Sequence, residues 1–356
     1  MGPLCAQCLD APAAVVKFSE QNRVRGVLLD DPAAVQYIFA AQYLNSILQS
    51  GNGVEAPRTR KEKGSKGANM GRPRVIEWPD KAKICVTFII PWEVWPENFA
   101  TRESLQRHGT HTIPPANAVF KKNLAAVTER EYGDRIGIWR IMDLFERHNL
   151  KVTFLMNGLK VEQFADECRE FKAQGHEFSS ESYEHEYSFM YTREQEQESI
   201  RKTVAAFEKV LGQKPTGYLS PGHASTPHTL ELVADAGFVW WADPLNSDNP
   251  YTVESKGRKV VVVPYNVPGC NDYSTYGAGR TPRDLLQIMK DQFDYLYWEG
   301  EQGAPKFFAF NLHPFVSGVP FRTKIIEEFI QHAKGFSKVW FARRIEIANW
   351  CLEKGY

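Results

Sequence analysis

His313 lies in the run NLHPF, where an apolar strand-like segment gives way to a proline-containing loop. A histidine at such an entrance can serve as general acid or base near neutral pH. A second stretch, GHEFSSESYEHEY (175–187), places Glu181 four residues before His185. On a helical turn that spacing puts a carboxylate and an imidazole on one face. Together they can hold Zn²⁺ or a similar divalent ion if a third ligand arrives from elsewhere, and Glu93 is the candidate. The competing readings are a solvated charge cluster with Glu184 and Glu186, and, for His313, a histidine satisfied within its own loop.

These residues need elements to carry them, and the pattern from Pro73 onward supplies strands alternating with helices. KICVTFII (83–90), KVTFLMN (151–157), HEFSS (176–180), GYLSP (217–221), FVWWAD (238–243), KVVVVPY (259–265), KFFAFNLH (306–313) and VWFAR (339–343) read as strands. Helices are expected over 136–149, 161–175, 192–212, 226–237, 283–300, 323–335 and 344–355, with Thr192 as an N-cap and Gly175 and Gly212 as stops. Such alternation argues for a parallel sheet, and about eight strands favour a barrel related to the TIM type. In that architecture function sits at the carboxyl ends of the strands. Those ends carry Glu93 and Glu97, Asn157, Glu181 and His185, Ser220 and His223, Asp243, Tyr265 and His313. Trp92, Trp95, Tyr187, Trp240 and Trp241 are candidate pocket walls, although for each one singly core packing is the first reading.

Composition narrows the function classes. The 356 residues are 43% hydrophobic and 24% charged, with 43 basic and 43 acidic side chains. Balanced charge favours neither nucleic acid nor an anionic membrane. No run reaches the length of a membrane span, and no leader-like start is read, so a cytoplasmic protein is expected. Six scattered cysteines suit free thiols, and CAQC (Cys5, Cys8) is a lone CxxC without a second half. Residues 1–69 read as a weakly structured extension. They hold a possible helix over 33–48 and a polar linker whose basic run spans 58–66. Residues 70–356 form the patterned domain.

RVIEWPDKAKICVTF, KVTFLMNG, GHEFSSESYEH, GQKPTGYLSPGHASTPHTLELVADAGF, VVVPYNVPGCNDY, LHPFVSGVPFR and VWFARRIEIANW follow one another in order. With them, residues 73–350 resemble the polysaccharide deacetylase (NodB-homology) superfamily. They are most similar to its branch of allantoinases, cyclic imide hydrolases and intracellular peptidoglycan-deacetylase-like proteins. The resemblance implies a distorted (β/α) barrel that hydrolyses carbon–nitrogen bonds of amides. It departs from the usual deacetylase pattern in three places. Ile89, Ile90 and Pro91 stand where the base and metal-binding aspartates belong, with Glu93 and Glu97 offset. Glu181 replaces the first histidine of an H-x₃-H pair, and Leu219 replaces the arginine that orients the base. Loss of base and orienting arginine together is consistent, since either alone would leave an unmatched buried charge. His313 matches the histidine that protonates the leaving nitrogen.

Two mechanisms follow from the resemblance. In one, Glu93, Glu181 and His185 hold a divalent metal, zinc first among them. In the other no metal binds, and Glu93 or Glu181 activates a free water. The substrate expected first is a small cyclic amide, imide or ureide. The alternatives are a metal-dependent N-deacetylase of amino-sugar polymers and a catalytically inactive barrel that binds a ligand. Trp92, Asn157, Ser220, His223, Asn271 and Asp272 are the expected substrate contacts. The partner implied is a small-molecule substrate, not nucleic acid or membrane, with a homo-oligomer left open.

Overall fold

The computed structural model describes residues 74–96, 114–115, 117–265 and 270–356. The expected extension over 1–69 and Glu97 lie outside the described residues.

Strand β1 (Ile84–Trp92) is buried along all nine residues, which its unbroken apolar sequence requires of a central parallel strand. It pairs in parallel with β2 (Thr153–Met156), β8 (Lys306–Asn311) and β9 (Val339–Phe341). From β2 the sheet continues through β3 (Glu177–Ser180), β4 (Gly217–Tyr218), β5 (Trp240–Trp241) and β7 (Arg258–Val262) to β6 (Tyr251–Ser255). Every pairing is parallel except β6 with β7. That hairpin turns through Lys256 (φ 50°) and Gly257 (φ 76°), the left-handed pair that a tight two-residue turn demands. Among the described strands β8 and β6 end the path without pairing, so the barrel is distorted and open there.

Side-chain parity along β1 splits the core. Ile84, Val86, Phe88, Ile90 and Trp92 point outward into one apolar cluster with Phe145, Phe154, Phe171 and Phe329. Cys85 and Ile89 point inward to a second cluster with Leu155, Leu219, Trp240, Val261 and Val263. Two-residue periodicity therefore carries the odd positions, ending in Glu93, toward the inside.

The helices cover the outer face. α2 (Ile138–Arg147) buries Ile138, Ile141, Met142, Leu144 and Phe145. It continues from α1 (Leu124–Tyr132) through a π-helical turn, Gly133–Gly137. The sequence predicted a helix only from residue 136. The structure extends it because Gly133 and Gly137 let the chain touch the backbone after His313. A Cβ on Gly137 would stand 2.1 Å from the Pro314 carbonyl oxygen. The helix expected over 161–175 breaks at Phe164 (φ −118°, ψ 46°) into α3 (Gly158–Gln163) and α4 (Ala165–Ala173). There the Phe164 ring packs 4.9 Å from Trp92. α5 (Arg193–Leu211) starts on a Thr192–Gln195 capping box and stops at left-handed Gly212. α6 (Thr229–Ala236), α7 (Asp272–Gly277), α8 (Pro282–Glu301), α9 (Pro314–Ser317), α10 (Pro320–Lys334) and α11 (Arg344–Lys354) complete the set.

Candidate active site

The carboxyl ends of β1 and β3 are tied together by Asn157, at the end of β2. Its side-chain oxygen accepts from the Val94 amide at 2.8 Å, and its amide nitrogen donates to the Glu181 carbonyl. Asn157 is fully buried. It therefore positions Glu93 and Glu181 instead of touching a ligand.

Glu181 leaves β3 with its amide donating to Met156 O at 2.8 Å. The chain then turns at Ser182, which adopts φ 63°, and bends to His185. The helical turn expected from the four-residue spacing is absent, because the turn is made by Ser182 and anchored by Ser182 Oγ against Ser199 Oγ at 2.8 Å. The pair still faces inward. His185 Nε2 lies 3.7 Å from Glu181 Oε1 and 3.5 Å from Glu93 Oε1. Its ring packs on Trp95 at 4.1 Å.

One ligand atom from each of Glu93, Glu181 and His185 falls within 4.8 Å of the others. Glu93 Oε2 and Glu181 Oε2 are buried without a hydrogen-bond partner among the described residues. Burial, then Glu93 and Asp243 nearby, push the Glu181 carboxyl well above the usual carboxylate range. Two carboxylates and an imidazole converging with unmatched oxygens suit a borderline divalent cation, which would neutralise the repulsion.

His313 sits at the end of β8, and its Nε2 is 3.7 Å from Glu93 Oε1. On its far side, Asp272 accepts from the Nδ1 of His313 at 2.7 Å, from its backbone amide at 2.7 Å and from Ser317 Oγ at 2.8 Å. A carboxylate only accepts, so the proton belongs on Nδ1 and Nε2 is turned to the cavity. Burial works against the charged imidazole, but the Asp272 charge and hydrogen bond, with Glu93, outweigh it and raise the His313 pKa.

These groups share a cavity of about 180 Å³ with Trp95, Tyr187, His223, Tyr265, Asn271 and Tyr273. Burial lowers the pKa of His223 to about 4, keeping it neutral. A larger hollow of about 540 Å³ between α5 and α6 holds none of this chemistry.

Of the expected substrate contacts, His223 and Asn271 line the cavity and the others do not. Trp92 points outward by strand parity, with its indole nitrogen donating to Asp134 at 2.7 Å and its ring among Phe154, Phe164 and Phe171. Ser220 is buried, with its amide and hydroxyl both donating to Asp243 at 2.8 Å. Asp272 stands behind His313, completely buried. Trp240 belongs to the inner core, and its indole nitrogen donates to Glu177 at 2.9 Å. Sequence reasoning missed Tyr273 and the buried Arg130. The guanidinium of Arg130 lies over the Trp95 and Phe315 rings at 4.9 and 3.8 Å. Nothing in the local pattern of either residue separates it from an ordinary helix position.

Residues 131–241 match the polysaccharide deacetylase family. A putative polysaccharide deacetylase of Schizosaccharomyces pombe is 30% identical over 318 residues, which is 81% of this chain and 97% of the relative. A peptidoglycan deacetylase of Helicobacter pylori is 26% identical over 63% of this chain and 86% of its own length. Among solved structures, Puue allantoinase superposes with a TM-score of 0.71 at 26% identity, covering 83% of this chain and 98% of that one. A probable polysaccharide deacetylase from Pseudomonas aeruginosa gives 0.70 at 28% identity, covering 80% and 96%.

Proposed function

Because the chain belongs to the polysaccharide deacetylase family, hydrolases of carbon–nitrogen bonds other than peptide bonds, we propose that it opens a small cyclic amide, imide or ureide. The observation that carries this reading is the size of the cavity around Glu93 and His313, about 180 Å³ and walled by Trp95, Tyr187 and Tyr273. A volume of that order admits one small ring, below the roughly 300 Å³ or more of pockets for larger ligands. Likeness to Puue allantoinase over most of both chains supports it.

Glu93, Glu181 and His185 would hold a divalent cation, with zinc the best match to the donor set. When bound, such an ion polarises a carbonyl and acidifies water. The remaining work falls to the protein. Glu93 accepts the proton of the attacking water. Asp272 holds His313 in the tautomer whose Nε2 faces the cavity, and raises its affinity for a proton. Protonated His313 delivers that proton to the departing nitrogen as the C–N bond breaks. The aromatic walls exclude bulk water and strengthen each of these interactions.

The test is hydrolysis of allantoin, succinimide and N-acetylglucosamine oligomers by the purified full chain. Turnover of the cyclic compounds is expected. Turnover of the acetylated sugar alone would replace this reading with the polymer N-deacetylase, which the names of the yeast and Helicobacter relatives favour. No membrane binding is part of the reading, and no described helix is long and apolar enough to cross a membrane.

A further inference from the structure

Tyr265 ends the strand segment after β7, and its side chain faces the same cavity as Glu93, Glu181 and His313. The residue is 7% exposed and packs with the inner core. Its ring stands edge-on to His223, with centroids 4.6 Å apart at 71°. Among the described residues the phenol hydroxyl makes no hydrogen bond, as is also true of Glu93 Oε2 and Glu181 Oε2 at the same strand ends. A largely buried hydroxyl left open toward a cavity is costly to keep unless something entering the cavity satisfies it.

The backbone beneath Tyr265 is fixed with unusual care. Arg344 is completely buried, and its guanidinium donates to the carbonyls of Val263, Pro264 (2.6 Å) and Tyr265 (3.1 Å). Three successive carbonyls held by one planar group leave the ring little room to shift. Burial, then the nearby Glu181, Asp272 and Glu93, push the phenol well above its usual range. At neutral pH it is uncharged and keeps its O–H to donate.

We propose that Tyr265 is a catalytic residue whose hydroxyl hydrogen-bonds the carbonyl oxygen of the substrate as negative charge develops there. This rests on the amide-hydrolase reading above and adds a group to it. The water oxygen bonds to the carbonyl carbon, and its proton passes to Glu93. The carbonyl electron pair moves onto oxygen, where Tyr265 donates its hydrogen bond without giving up the proton. The pair returns, the C–N bond breaks, and the nitrogen leaves with the proton of His313. A fixed neutral donor in a dry site favours the charged state over the ground state, because it needs no reorganisation when the charge appears.

The experiment compares the full chain with Tyr265→Phe on the cyclic amide or imide it turns over, measuring kcat and KM separately. A fall in kcat of about 10²–10³-fold, with KM within about threefold and an unchanged melting temperature, is expected. A second variant carries 3,5-difluorotyrosine at 265, which keeps the ring and lowers the phenol pKa. It should stay active at neutral pH and lose activity on the alkaline side earlier than the native chain. If Tyr265→Phe keeps kcat within threefold, the inference is overturned and the amide-hydrolase reading stands. If the native chain hydrolyses none of the three substrate classes, that reading falls and takes the inference with it.

Discussion

At the scale of single residues, the site divides into groups that act and groups that hold them. Asp272 never reaches the cavity, yet it fixes the tautomer and charge of His313 through contacts at 2.7 Å to both the ring and the backbone. Its replacement by Asn keeps the shape and removes the charge. Because Asp272 raises the His313 pKa, activity that needs the protonated imidazole persists to higher pH and is lost as pH rises through that raised value. Asp272→Asn should therefore move the alkaline limb of the kcat/KM profile to lower pH. It should also cut kcat by about 10²–10⁴-fold, the usual worth of a positioned acid. An unmoved limb would remove His313 from the role of acid. Glu181 presents a different test. Glu181→Ala deletes one ligand and leaves Glu93 and His185 too few to hold an ion, so metal content measured on the purified chain should drop from about one per chain to a small fraction. A native chain that turns over with no metal at all would instead support the metal-free route, with Glu93 acting on a free water.

At the scale of elements, the strand ends were legible because burial on both faces writes long apolar runs, and the chemistry begins where those runs stop. β1, β2, β3 and β8 and the residues just past them were readable this way. Three features were not. Trp92 and Glu93 are neighbours, and only the register Trp92↔Met156 and the parity of the two clusters decide which one faces in. The β6–β7 hairpin, turned by Lys256–Gly257, was not read, because β6 is a short, partly exposed strand without a long apolar run. The π-helical turn at Gly133–Gly137 follows from its contact with Pro314 and Phe315, far along the chain, which no local pattern records. That contact has a consequence. Gly137→Ala would drive a methyl into the Pro314 carbonyl and press on the loop that carries His313. Denaturant unfolding should show a loss of about 1–3 kcal/mol, as overpacking of a close contact does, together with reduced turnover. Gly212→Ala is the control. Its left-handed φ of 66° strains an alanine, but no described residue lies within 4 Å, so it should cost about 1–2 kcal/mol and leave turnover intact.

At the scale of the whole molecule, buried ionisable groups set how the fold answers acid. Burial holds His176 at a pKa of about 4, where its Nδ1 accepts from the Val152 amide at 3.1 Å, and His223 at about 4 as well. Both stand below the ordinary histidine value, so the unfolded chain binds these protons first. As pH falls from about 6.5 to about 4, each therefore favours unfolding. Asp243 runs the other way. Burial raises it to about 6, despite hydrogen bonds from Ser220 and Trp241, so between pH 6 and 4 the folded chain takes its proton first and gains. Glu181, also raised by burial, adds to that gain, so the acid response is the difference between the two histidines and these two carboxyls. His176 is the cleaner probe, because it lies at the amino end of β3, away from the cavity. In His176→Asn the side-chain oxygen can still accept from Val152, but no group titrates there. The variant should lose less stability than the native chain over the same pH range, by about 1–3 kcal/mol at pH 4, while the two differ little in pH response above pH 7. Equal acid sensitivity of the two proteins would show that His176 already carries its proton in the folded state, and that the Val152 amide is not held by a neutral ring.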